Sequence, residues 1–168
     1  MARSTTTTAP SFKTRIDVEP DARKELVALL NQQMADNADL YSQTKQAHWN
    51  VKGPDFMQLH LLFDQVAAMV EPFSDELAER VTALGGYATG TVRMAAKAST
   101  LPEFPTDARD GKANLQALSD RWAAYAASTR AAIERASQLG EPTSEDLFTE
   151  ISRDVDKALY FLEAHLQG

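Results

Sequence analysis

From Phe56 to Leu84 the apolar positions Phe56, Leu59, Phe63, Val66, Val70, Phe73, Leu77, Val81 and Leu84 recur at gaps of three and four. That period follows one face of a helix and predicts a long amphipathic segment whose seam packs in a bundle. Pro72 falls inside the run and takes away the backbone bond to the carbonyl of Ala68, so a kink is predicted with the seam in phase on both sides. Gly85-Gly86 supplies the C-terminal stop. Earlier in the chain, Leu26, Leu29, Leu30, Met34 and Tyr41 mark a first helix from about Pro20 to about His48. Gly53-Pro54 makes the tight break that joins the two.

Further on, Leu115, Leu118, Trp122, Tyr125, Thr129 and Ile133 mark a third helix that stops at Gly140, with Pro142 just beyond. A fourth starts at Thr143 or Ser144, has Glu145 and Asp146 at its positive end, and carries Leu147, Ile151, Val155, Ala158 and Leu162. Residues 87–106, with Pro102 and Pro105, form a long connection that is predicted to hold a short helix over Val92–Ala98. Such a crossover lets the second and third helices run parallel. No segment alternates with the period of a strand, so the predicted fold is all-α, four helices with a long crossover between the second and third. Residues 1–16 are Thr-rich without apolar periodicity and read as a flexible tail ahead of a single domain over 17–168.

Composition narrows the function. Hydrophobic residues at 43% and charged residues at 24% fit a globular domain, and 168 residues suffice for one core. The net charge of −7 disfavours a body that attracts nucleic acid as a whole. It leaves Arg3, Lys13 and Arg15 of the tail as candidate DNA contacts, with Asp17, Glu19 and Asp21 close behind. The absence of cysteine excludes disulfides and thiolate chemistry, so any metal here is held by imidazole and carboxylate, a donor set suited to iron, zinc or manganese. No apolar run resembles a signal peptide or a membrane span, and the expected location is the cytoplasm, in association with the nucleoid if DNA is bound.

Five residues can ligate a metal: His48, His60, Asp64, Asp75 and Glu79. His60 and Asp64 are four apart, as are Asp75 and Glu79, so each pair forms a clip on one side of a helix. The 11 residues from Asp64 to Asp75 correspond to about 16 Å of helix, too far for one chain to close both clips on one ion. Either the clips are unrelated or a second copy of the chain completes each site. At about 100° per residue the four helical ligands centre roughly 160° from the apolar seam, so they point out of their own bundle. Ferritin-type di-iron cores instead use Glu-x-x-His motifs aimed inward, and this sequence has none. Met57, Leu61, Ala68 and Ala78 share the outward face and suit a partner surface. Two such helices pairing antiparallel would cross near Met69 and Val70, with Ala67 and Ala68 permitting close approach, and His48 could close each site.

The run KQAHWNVKGPDF (45–56), then His60, Asp64, Asp75 and Glu79, the stretch LGGYATGT (84–91) and the closing SRDVDKALYFLEAHL (152–166) closely resemble the Dps family, the DNA-binding proteins from starved cells. The resemblance implies a ferritin-like four-helix subunit, a hollow dodecamer, and a ferroxidase that oxidises Fe(II), preferentially with hydrogen peroxide, and stores Fe(III) as mineral. It implies that His48, His60 and Asp64 of one subunit meet Asp75 and Glu79 of its two-fold mate, and zinc could occupy the same donors. Trp49, beside a ligand, is a candidate electron donor. Glu141, Glu145, Asp146 and Glu150 fall where the family lines its three-fold pores, Asp146 being the leading candidate. The competing function is a nucleoid-compacting structural protein with secondary metal sites.

Overall fold

Proline lacks the N–H that the first turn of a helix leaves unpaired anyway, and Pro20 accordingly opens α1 (Pro20–Asn50). The computed structural model describes residues 10–167, and all of its regular structure is helical. The long predicted second helix is realised as two, α2 (Phe56–Val70) and α3 (Phe73–Ala83), separated at Glu71-Pro72. Both intervening residues keep right-handed helical angles (φ −54°, ψ −46° and φ −63°, ψ −32°), so the break costs hydrogen bonds without changing phase. Leu59, Phe63, Val66, Val70, Phe73, Leu77, Val81 and Leu84 are therefore all buried on one seam.

Gly85, at φ +81°, ends α3 with its N–H on Thr82 O, while the Gly86 N–H reaches back to Val81 O at 2.9 Å. Any side chain at Gly85 would be strained and would also collide with the Phe12 carbonyl. The crossover contains α4 (Val92–Ala98), as predicted, and leads to α5 (Gly111–Gln138), whose first turn is capped by Asp110 accepting from the Ala113 N–H at 2.8 Å. Finally α6 (Pro142–Ala164) begins slightly earlier than predicted, because Pro142 takes the first helical position and Glu141 is the cap.

Helix α5 packs along α6, while α1 touches α2, α3, α4 and α5. The bundle closes around Trp122, Tyr125, Phe63 and Phe148, with the indole N–H of Trp122 donating to Thr44 Oγ1 at 3.2 Å. The crossover is stitched to α1 by polar side chains. Asn31 donates to Tyr87 O and accepts from the Thr89 N–H, Gln32 donates to Ala98 O, Asp36 accepts from the Thr100 N–H, and Gln43 donates to Pro102 O.

Of the tail expected over residues 1–16, residues 1–9 lie outside the described part. The segment that follows is tied to the bundle: the Phe12 N–H donates to Gly85 O at 2.8 Å, and Arg23 donates to Ile16 O and Val18 O. Among the described residues no helix is long and apolar enough to cross a membrane.

The Glu141 carboxylate is buried, accepts from the Ser144 N–H at 2.8 Å, and pairs with Arg80 of α3 at 2.9 Å. Burial pushes its carboxyl up, but the bonds from Ser144 and Arg80 outweigh this and hold it below the ordinary value of 4.5. A depressed value means the stabilisation is full above about 4.5 and is lost as pH falls through the folded value. Glu141→Ala should therefore lower the melting temperature at neutral pH by about 4–8 °C, followed by circular dichroism. The gap between variant and parent should narrow in acid; identical neutral melts would show that the cap and the ion pair contribute nothing.

Candidate metal centre

His48 sits in the last turn of α1 and His60 in the second turn of α2. The tight connection through Gly53, at φ +117°, folds the helices back so that the two rings stack, with centroids 3.8 Å apart and planes 19° from parallel. Each ring bonds to the other residue's backbone: His48 Nδ1 lies 2.7 Å from His60 O, and His60 Nδ1 lies 2.9 Å from His48 O. A carbonyl oxygen only accepts, so each Nδ1 carries a proton and the lone pair with which an imidazole ligates a metal is that of Nε2. Contacts of this kind fix the tautomer and orientation of a metal-binding imidazole. Phe56 backs the His60 ring at 5.0 Å between centroids, and both histidines are half-buried.

Asp64, one turn beyond His60, is exposed and forms an ion pair with Lys45 of α1. The hydrogen bond from Lys45 holds its carboxyl below the usual aspartate range. Its carboxylate faces the ammonium, so a cation binding here exchanges with Lys45. Lys45 was not anticipated, although its place one turn before His48 put it on the same side of α1.

Asp75 and Glu79 are exposed on α3 and make no ion pair with a described residue. Between them Glu76 is pushed up, first by partial burial and then by Glu150 of α6, Asp75 and Glu79. This face of α3 and α6 is thus crowded with negative charge that a cation would relieve. Among the described residues no three His, Asp or Glu side chains of the single chain converge as a metal site. The imidazoles come together, Asp64 is turned to Lys45, and Asp75 and Glu79 lie beyond the break.

The face between the clips carries exposed Met57 and Leu61, 58% and 59% accessible, together with exposed Ala68 and half-buried Met69 and Ala78. Ala67, expected to permit close approach at the crossing, is in the core instead, turned inward beside Val66, while Val70 is buried on the seam where the apolar period puts it. Of residues 66–70, Ala68 is exposed and Met69 half-buried. Trp49 is 61% exposed beside His48 and borders a cleft between α1 and the crossover. Of the acids expected at a pore, Glu141 is withdrawn into the cap and its pair with Arg80, Glu145 is half-buried, and Asp146 and Glu150 are exposed. Lys13 and Arg15 are exposed before α1, while Arg3 lies outside the described residues.

The ferritin family profile, a ferritin-like domain, matches residues 27–168. A DNA protection during starvation protein of Agrobacterium fabrum is 41% identical over 157 residues, covering 94% of this chain and 97% of that protein. The solved structure of DpsC from Streptomyces coelicolor superposes with a TM-score of 0.90 at 28% identity, covering 99% of this chain and 97% of that one. A Dps protein from Vibrio cholerae O1, described as a member of a broad superfamily of ferritin-like diiron-carboxylate proteins, superposes with a TM-score of 0.85 at 27% identity, covering 96% of this chain and 100% of that one. The family profile, the 41% identity and the superposition each span most or nearly all of the chain, and the chain belongs to the Dps family of ferritin-like proteins.

Proposed function

We propose that the chain is a ferroxidase and iron-storage subunit whose metal centre is shared between two copies. His48, His60 and Asp64 of one protomer meet Asp75 and Glu79 of the partner subunit, and twelve chains enclose a shell in which Fe(III) is stored as mineral and DNA is spared oxidative damage. The observation that carries this reading is the His48–His60 pair: both Nδ1 protons are committed to backbone carbonyls, leaving both Nε2 atoms as donors. The two clips on α2 and α3, too widely spaced for one chain, supply the remaining carboxylates once a second chain lies antiparallel.

Fe(II) is the substrate, and imidazole holds it while carboxylates favour the Fe(III) product. Hydrogen peroxide is the preferred oxidant in this reading. Two Fe(II) each lose one electron, the O–O bond breaks, and two protons complete two waters, so no hydroxyl radical is released. Zinc would compete for the same donors. Trp49, exposed next to His48, would supply an electron to the site, and exposed Asp146 and Glu150, with Glu145, are the acids that could draw cations through a pore.

Replacing His60 and Asp64 together by Ala should abolish the fast ferric absorbance that appears when peroxide is added to anaerobic Fe(II). Replacing Asp75 and Glu79 should do the same. The shared geometry adds a sharper expectation: dissociating the two inactive proteins and reassembling them together should restore about a quarter of the sites, since mixed pairs contain one intact site in two. No recovery on mixing, with intact assemblies, would place each site within one chain. Lys45→Met should tighten Fe(II) binding about two- to fivefold at low iron by freeing Asp64, and weaker binding would show that Lys45 supports the site.

A nucleoid-compacting role is the competing reading, resting on exposed Lys13 and Arg15. If the tail carries it, plasmid retardation at low salt should be lost on deleting residues 1–15. Retardation that survives the deletion would exclude the tail.

A further inference from the structure

A continuous helix would pair the carbonyl of Val70 with the N–H of Ser74, but here the Ser74 N–H turns to Glu71 O at 3.4 Å and the Asp75 N–H to Pro72 O at 3.0 Å. The carbonyl of Val70 is met by another helix. Asn37 of α1, fully buried, donates from Nδ2 to Val70 O at 2.9 Å and to Ser74 Oγ at 2.9 Å. One amide thus bridges the last residue of α2 and the first turn of α3.

Its other atom shows that packing alone does not explain the residue. Asn37 Oδ1 is buried with no partner, so leucine would fill a similar volume without burying an unpaired oxygen. What leucine cannot supply is the donor that spans the break. We infer that Asn37 is a positioning residue for the metal centre, fixing the angle at which α3 leaves α2 and therefore where Asp75 and Glu79 stand relative to His60 and Asp64. The inference rests on the shared-site reading above. Asp75 follows Ser74 directly, and Glu79 lies one turn further along the same rigid helix. In an antiparallel pair the break falls next to the two-fold axis, so a change of angle displaces the carboxylate clip of both copies and disturbs both sites.

The test is anaerobic Co(II) titration of the full assembly, followed by d–d absorption, with peroxide-driven Fe(II) oxidation and thermal melting read in parallel. Asn37→Leu should weaken Co(II) binding about tenfold and slow the fast oxidation phase while moving the melting temperature little. Ser74→Ala, which removes one side of the bridge without altering the buried position, should give a smaller loss of the same kind. In a Pro72→Ala background, where the backbone can close its own ladder, Asn37→Leu should change Co(II) affinity by less than about twofold. The positioning role is overturned if Asn37→Leu and Ser74→Ala bind Co(II) as the parent does, or if Asn37→Leu loses as much with Pro72 replaced as with it present. The shared-site reading fails separately if the chain with His60→Ala and Asp64→Ala still binds Co(II) at full affinity, and this inference falls with it.

Discussion

Buried backbone groups must be paired, and where this chain departs from helix many of their partners come from α1. Asn31, Gln32, Asp36 and Gln43 meet the N–H and C=O groups of the crossover, Asn37 meets the carbonyl at the α2–α3 break, and His48 exchanges bonds with the start of α2. Apart from His48, whose partner carbonyl lies within α2, each replaces a bond that a loop or an interrupted ladder cannot make for itself. The first helix is consequently a template as well as a wall of the bundle. The crossover can be long without being loose, and the break can sit in a buried seam without leaving Val70 unpaired.

This explains which features were legible beforehand. The seam of α2 and α3 was plain because its buried side are nearly all large and apolar, and the clips were plain because a helix fixes the spacing of its faces. The break at Pro72 was expected from proline chemistry, but not Asn37, whose contacts with Val70 and Ser74 cross more than thirty positions of chain. The first helix gave a weaker pattern for a related reason: Gln33, Asp36, Asn37, Gln43 and Thr44 are buried although polar, so burial and hydropathy part company along it. Ala67 was misplaced because a midpoint counted along a helix fixes height but not face. The Lys45–Asp64 and Arg80–Glu141 pairs depend on side chains brought together from distant parts of the chain, which no local spacing records.

The Arg80–Glu141 pair has a second effect through charge. Arg80 is the one basic residue in α3, and its guanidinium is turned to Glu141 and Ser144. The same buried pair that anchors the start of α6 thereby keeps a cation away from Asp75 and Glu79. Glu76, pushed up first by desolvation and then by repulsion from Glu150, Asp75 and Glu79, lies on the same acid-rich face.

The two tryptophans stand in opposite surroundings. Trp122 is sealed in the core with its indole N–H on Thr44, whereas Trp49 is largely exposed beside His48. The chain therefore carries two separable optical reporters. In the single chain a collisional quencher in water reaches Trp49 and not Trp122, so quenchable emission reports events at the histidine pair, a partner seating there included, while the shielded emission reports the integrity of the bundle.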